Sequence, residues 1–132
     1  MTDTEKKTIA ESFIAALRHR DRPALAAILT EDIVWGLPGE TAMSGEARGV
    51  DAILKRAETL ASYEVSLEIL HVVYGLRDVA LHLHNTGTRD GKVLDEYLTT
   101  VCHLSGDQIA RLDTYISDVP MLNTYFGVRT HA

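Results

Sequence analysis

Cysteine is nearly absent. Cys102 is the only one in 132 residues, so no internal disulfide staples the chain, and a reducing cytoplasm is the expected location. No apolar run approaches the roughly 20 residues of a membrane span. The opening Met1–Lys7 lacks the apolar stretch of a secretory signal. Positive charge is short as well: 13 Lys and Arg against 19 Asp and Glu leave a net charge of −6. That balance argues against nucleic acid, whose phosphates select basic faces. No repeat, linker, low-complexity segment or cofactor-binding motif is visible, so no cofactor, membrane or nucleic-acid partner is expected. What remains, at 45% apolar and 24% charged residues, reads as one globular domain over 1–132, large enough for a core without staples.

Apolar spacing divides the chain into a helical first half and a stranded second half. Thr2 and Glu5 have capping-box spacing, and Ile9, Phe13 and Leu17 mark one face of a helix over about 4–19. Asp21 caps a second, about 22–30, with Pro23 tolerated in its first turn. Ile33, Val34 and Trp35 make a short strand, about 32–36, before a long loop built on Gly36, Pro38, Gly39, Gly45 and Gly49. Val50, Ile53, Leu54, Ala57 and Leu60 then repeat at helical spacing over about 50–61. Four strands follow, about 63–74, 79–89, 93–104 and 108–117, separated by Gly75–Asp78, Asp90-Gly91 and Ser105-Gly106-Asp107 turns. Val119 to Tyr125 suit a short closing helix. Strands this long must twist and curl. The expected fold is α+β: a cone-shaped, curved antiparallel or mixed sheet wrapped round three N-terminal helices, with a pocket inside.

The stretch Leu29-Thr30-Glu31-Asp32-Ile33-Val34-Trp35 running into Pro38-Gly39, the segment Ser44-Gly45-Glu46-Ala47-Arg48-Gly49-Val50-Asp51-Ala52-Ile53, and the ending Gly106-Asp107-Gln108-Ile109-Ala110-Arg111-Leu112-Asp113-Thr114-Tyr115 resemble the nuclear transport factor 2-like superfamily in its SnoaL-like branch. The resemblance runs from about Ile9 to Gly127. It implies the cone fold and a small organic ligand, and it leaves the reaction open, because the superfamily holds isomerases, cyclases, hydrolases, dehydratases and non-catalytic binding proteins. Phe13, Leu37 and Thr100 stand where ketosteroid isomerases carry a tyrosine, a base carboxylate and an oxyanion acid, so steroid isomerisation at that site is not expected. His82-Leu83-His84 stands where limonene epoxide hydrolases carry Arg-x-Asp, and Thr114 stands where they carry an aspartate. The nearest match to the last-strand carboxylate of SnoaL-like cyclases is Asp113. His82, His84 and Asp113 also supply the residue types of scytalone dehydratase-like dehydration.

His82 and His84 lie two apart in a strand and share a face. The family alignment turns them into the pocket, whereas hydrophobicity alone turns Val79, Leu81 and Leu83 in. Inward histidines serve as a general acid or base, as metal ligands with Glu96 or His103, or as hydrogen-bonding pocket walls. No metal is expected, since the acids of a His-x-His metal motif are missing. Asp95 and Glu96 occupy opposite faces, and a solvated face is expected for either. The Arg111, Asp113 and Tyr115 face of the last strand competes with Ala110, Leu112, Thr114 and Ile116 for the inside. The candidate catalytic residues are therefore His82, His84 and Asp113, and the candidate ligand contacts are Phe13, Trp35, Leu37, Thr100 and Thr114. The expected function is small-molecule binding in an apolar pocket with cofactor-independent acid–base catalysis of isomerase, cyclase or lyase type; the alternative is a ligand carrier or accessory interaction domain. A homodimer is expected, because a sheet covered on one side needs its other face covered.

Overall fold

In the computed structural model, which describes residues 1–130, Thr2 caps the first helix as its spacing predicts. Its hydroxyl accepts from Glu5 N, and the Glu5 carboxylate accepts from Thr2 N. The helix, α1, runs Asp3–His19. The last two residues of the expected 1–132 domain lie outside the described residues. Asp21 caps α2 (Arg22–Ile28), with Pro23 in the first turn where its missing N–H leaves no bond unmade. The chain then turns directly into β1 (Leu29–Leu37), which starts earlier than expected because Leu29 and Ile33 are both buried. The stretch expected as loop contains a short strand, β2 (Gly45–Arg48), antiparallel to β1.

The third helix, α3 (Val50–Ser62), ends in a Schellman motif. Val65 N bonds to Leu60 O, Glu64 N bonds to Ala61 O, and Glu64 takes the left-handed conformation at φ 58°. That turn uses up residues 63–65, so the next strand, β3, begins at Ser66 and runs to Tyr74. Three more strands follow: β4 (Val79–Arg89), β5 (Lys92–Ser105) and β6 (Gln108–Ile116). The chain closes with α4 (Val119–Phe126), capped by Asp118.

The six strands form one open mixed sheet in the order β2-β1-β6-β5-β4-β3. All neighbours are antiparallel except β1 and β6, which are parallel. Phe13, Ile14 and Leu17 of α1 and Ile53 of α3 pack on one face of this sheet against Trp35, Leu81, Leu83 and Leu112. Burying a leucine of this kind is worth about 2 kcal/mol. Leu81 and Leu83 together therefore set which face of β4 meets the helices, and that fixes every other residue of the strand by alternation.

Candidate functional site

The helix-covered face does not close completely. A chamber remains between α1, α3 and strands β1, β4, β5 and β6, and Leu122 and Phe126 of α4 line it as well. The empty space at this site, counted together with the solvent it opens onto, is about 530 Å³. Two close approaches hold α4 in place. The Tyr125 hydroxyl donates to Tyr63 O, over Gly87, where an added Cβ would lie 2.7 Å from Tyr125 Oη and 3.0 Å from Glu64 O. Asn123 Oδ1 accepts from Glu40 N at 2.8 Å, which ties α4 to the loop after β1.

Few polar groups enter this apolar space. Asn85 of β4 and Glu96 of β5 are register partners on adjacent strands, and both line the chamber. Asn85 Oδ1 and Glu96 Oε2 are buried without a hydrogen-bond partner. Glu96 is 2% exposed. Burial pushes its carboxyl up to about 7, with a further rise from the nearby Asp118 carboxylate. A carboxyl that titrates near neutrality can both take and return a proton. Further along the same wall, Trp35 Nε1 donates to Thr114 Oγ1 at 2.8 Å, and Thr114 Oγ1 lies 2.8 Å from Thr100 Oγ1. Phe13 packs edge-on to Trp35 with ring centroids 5.8 Å apart.

Arg56 of α3 is a buried cation with no acidic partner among the described residues. Its guanidinium donates to Trp35 O, Met43 O and Gly45 O and sits 4.8 Å over the Trp35 ring. Burial lowers its pKa to about 10, which leaves it charged at neutral pH. The three backbone carbonyls hold β1, β2 and the loop between them together, so the side chain fixes the chamber wall at Trp35.

The expected ligand contacts Phe13, Trp35, Leu37, Thr100 and Thr114 all lie on this chamber. The expected catalytic residues do not, and this is a correction. His82, His84 and Asp113 project from the opposite, outer face of the sheet. The physical reason is alternation: Val79, Leu81, Leu83 and Asn85 bury inward on β4, and Leu112 and Thr114 bury inward on β6, so their neighbours must face out. Hydrophobicity decides the orientation that the family alignment assigned the other way. On the outer face, His84 stacks on Tyr97 with centroids 4.4 Å apart and contacts Asp95 Oδ1 at 2.6 Å. Asp113 is gripped by Arg111 through two bonds of 3.1 Å and touches His103 at 3.1 Å. The Arg111 hydrogen bonds hold the Asp113 carboxyl below its usual range, so it is an ion-paired carboxylate, poorly suited as a base. Gly36 of β1 leaves room for this pair: a Cβ there would lie 3.1 Å from Asp113 Oδ1. Among the described residues, no three His, Cys, Asp or Glu side chains converge to hold a metal ion.

The residues missed by sequence reasoning are Glu96, Asn85 and Arg56. Glu96 was legible, since it shares the parity of Leu94, Leu98 and Cys102, and an acid on an apolar strand face is a buried acid. Arg56 likewise falls between Ile53 and Leu60 on the inward face of α3. Asn85 continues the Val79-Leu81-Leu83 row.

The SnoaL-like domain family matches residues 10–112. No curated protein matches the chain in sequence. Among solved structures, it is similar to Bal32a from a soil-derived mobile gene cassette, at 22% identity over 92% of this chain and 98% of that one, with a TM-score of 0.83. An NTF2-like protein from Burkholderia xenovorans is 23% identical over 96% and 99% of the two chains, also with a TM-score of 0.83. TerC, co-crystallised with polyporic acid, is 12% identical over 92% and 98%, with a TM-score of 0.77. At these identities the likeness is one of fold. No helix among the described residues is long and apolar enough to cross a membrane.

Proposed function

The chain belongs to the SnoaL-like family, and on that premise we propose that it takes a small, largely apolar organic molecule into the chamber and acts on it by cofactor-independent acid–base chemistry, with Glu96 moving the proton. The observation that carries this reading is the buried Glu96 carboxyl, unpartnered at Oε2 and titrating near 7. In its ionised form, Glu96 takes a proton from a carbon acidified by a neighbouring carbonyl. The electron pair moves onto the carbonyl oxygen, and the protonated Glu96 returns the proton to another atom of the same molecule. Isomerisation, ring closure and elimination all begin with that step. The apolar walls around Glu96 keep its carboxyl pKa high.

A carrier reading is favoured by one observation: among the described residues, Glu96 is the only acid lining the chamber, and no second carboxylate or histidine stands with it there. Two measurements separate the readings. A carbon-detected NMR titration of the Glu96 carboxyl is expected to give a midpoint near 7; a midpoint near the ordinary 4.5 removes the acid–base reading. Deuterium uptake from D2O into the α-carbon of 2-tetralone follows the chemistry itself. The wild-type protein is expected to accelerate uptake and Glu96→Gln to lose the acceleration, while binding without exchange in the wild type makes the protein a carrier.

The homodimer belongs to the same proposal. The sheet's outer face carries Leu70, Tyr97 and Tyr115 at 38%, 55% and 63% exposure, and a second copy would cover them. The lone buried thiol of Cys102, its pKa pushed up to about 12 by burial, is inert and consistent with a cytoplasmic setting.

A further inference from the structure

Arg56 lines the chamber as a cation whose charge nothing answers. It is 6% exposed, and no carboxylate pairs with it among the described residues. A guanidinium carries five N–H donors. Those of Arg56 make three bonds, from Nη1 to Trp35 O and from Nη2 to Met43 O and Gly45 O. Nε–H and the second proton of Nη1 are left without an acceptor among the described residues. The three carbonyls orient the group, but they are neutral dipoles, and a charge taken out of water is fully compensated only by an opposite charge or by solvent. The acid that shares the chamber does not supply it. Glu96 stands on β5, two strands along the sheet from the β1 carbonyl that Arg56 holds, a spacing of about 10 Å.

The guanidinium is also fixed before any ligand arrives. The Trp35 ring backs it at 4.8 Å and the carbonyls hold both terminal nitrogens, so an anion that docks there meets a preorganised partner. We propose that the chamber's ligand carries an acid group, a carboxylate or an equivalent organic oxyanion, which docks on Arg56 through the donors left free. This rests on the chamber being the ligand site and adds the ligand's charge and the end by which it is held. The overall charge of −6 repels anions, so the attraction is local to this one residue. Arg56 is an anchoring and specificity residue. It holds the acid end beside β1, and the apolar body lies across the chamber toward Glu96. At about 10 Å the acid group is too remote to acidify the C–H that Glu96 attacks, so a carbonyl within the body does that. The ligand class is a keto acid with an apolar body, in which binding energy from a non-reacting group positions the reacting one.

Three naphthalenes of nearly equal size test this against the full chain: 2-naphthoate, its neutral isostere 2-naphthamide, and 2-ethylnaphthalene. At about pH 6 the naphthoate is ionised and the Glu96 carboxyl is largely protonated, so Glu96 does not repel the probe. The wild type is expected to bind 2-naphthoate at least about tenfold tighter than 2-naphthamide, the ratio for hydrogen bonding to a charged group. Trp35 is the only tryptophan, so its indole N–H gives a single NMR peak beside Arg56, and 2-naphthoate should move it most. Arg56→Gln keeps donors for the carbonyls and removes the charge; it should abolish the anion preference while still binding 2-ethylnaphthalene. Arg56→Lys should restore part of the preference. Circular dichroism reports whether the variants fold, and if neither does, the wild-type ratio and the Trp35 peak still decide. Equal affinity for naphthoate and naphthamide overturns the acid anchor, and so does a preference that survives Arg56→Gln. Naphthoate that binds with the Trp35 peak unmoved sits elsewhere and overturns it too. Inorganic phosphate, lacking an apolar body, is expected to leave the peak in place; if it moves the peak as far as naphthoate does, Arg56 serves small anions and the organic acid is overturned. In all of these outcomes the chamber still binds apolar molecules. If none of the three naphthalenes binds, the chamber itself fails as a ligand site, and the proposed function falls together with the anchor.

Discussion

A carboxyl without a partner in an apolar wall makes Glu96 the residue through which pH acts on this molecule. Its folded pKa near 7 lies above its ordinary value of 4.5, so the folded state holds a proton that the unfolded chain releases. Below about pH 4.5 the group is protonated in both states and contributes no penalty. Between about 4.5 and 7 only the unfolded chain ionises, so stability falls as pH rises through that window and levels off above it. The shift corresponds to about 3 kcal/mol at most. Glu96→Gln removes the ionisation. Urea unfolding at pH 8 is expected to find the variant more stable than the wild type, with the gain shrinking toward pH 5; parallel behaviour of the two proteins across that range would show that Glu96 is not held neutral. The sequence reading placed both Asp95 and Glu96 at the surface, although Glu96 shares the parity of the buried Leu94 and Leu98 and Asp95 does not. Parity is decided by which neighbours bury.

At the scale of elements, α4 is the part of the fold that encloses the chamber, and its seat depends on a missing side chain. Tyr125 rests over Gly87 of β4, and an alanine Cβ there would collide with both the phenol oxygen and the Glu64 carbonyl. Gly87→Ala is expected to cost about 1–3 kcal/mol and to lift α4, which carries Leu122 and Phe126 of the chamber wall. Thermal unfolding should show a fall of several degrees, and Trp35 fluorescence should move to the red as water reaches the indole; an unchanged spectrum with an unchanged Tm would show that α4 is not seated there. The same element raises the Glu96 pKa through its capping residue. Asp118→Asn keeps a side-chain oxygen for the Met121 N–H and removes the charge, so the Glu96 midpoint should fall when the titration is repeated. A helix near Val119–Tyr125 was readable from the sequence, but its covering of the chamber was not. That depends on contacts with Tyr63 and Glu40, 62 and 83 residues away in the chain.

On the scale of the whole molecule, the helices cover one face of the sheet and leave the other bare. Leu70, His82, Tyr97, Thr99 and Tyr115 surround a shallow depression on that bare face. Beside it runs a row of polar contacts, hydrogen bonds from Asp78 through His103 to Asp113 and ion pairs from Arg111 to Asp113 and Glu46. Exposed pairs of this kind add little to stability, and they are well placed to orient a partner over an aromatic centre. Sedimentation of the wild-type chain is expected to give twice the monomer mass. Tyr97→Glu with Tyr115→Glu should shift it to the monomer with the circular dichroism unchanged, since neither side chain enters the core. A wild-type monomer would leave the outer face without the proposed partner. The residues expected to be catalytic are on this face, so the dimer test also examines what His82 and His84 border.

The sequence by itself determined the α+β class, the order of the helices and the four long strands, and the resemblance that places the chain in its family. These follow from local periodicity, caps and turns, which act over a few residues. It also named five of the chamber's walls, Phe13, Trp35, Leu37, Thr100 and Thr114. Tertiary structure decided which face of β4 and β6 is inside, and that moved His82, His84 and Asp113 out and brought Glu96 and Asn85 in. A strand's two faces are equivalent until a helix packs on one of them, and the side that buries Leu81, Leu83 and Leu112 is lower in free energy by several kcal/mol. The unpaired state of Glu96 and Arg56 was equally beyond the sequence, because a missing partner is a property of everything that surrounds a group.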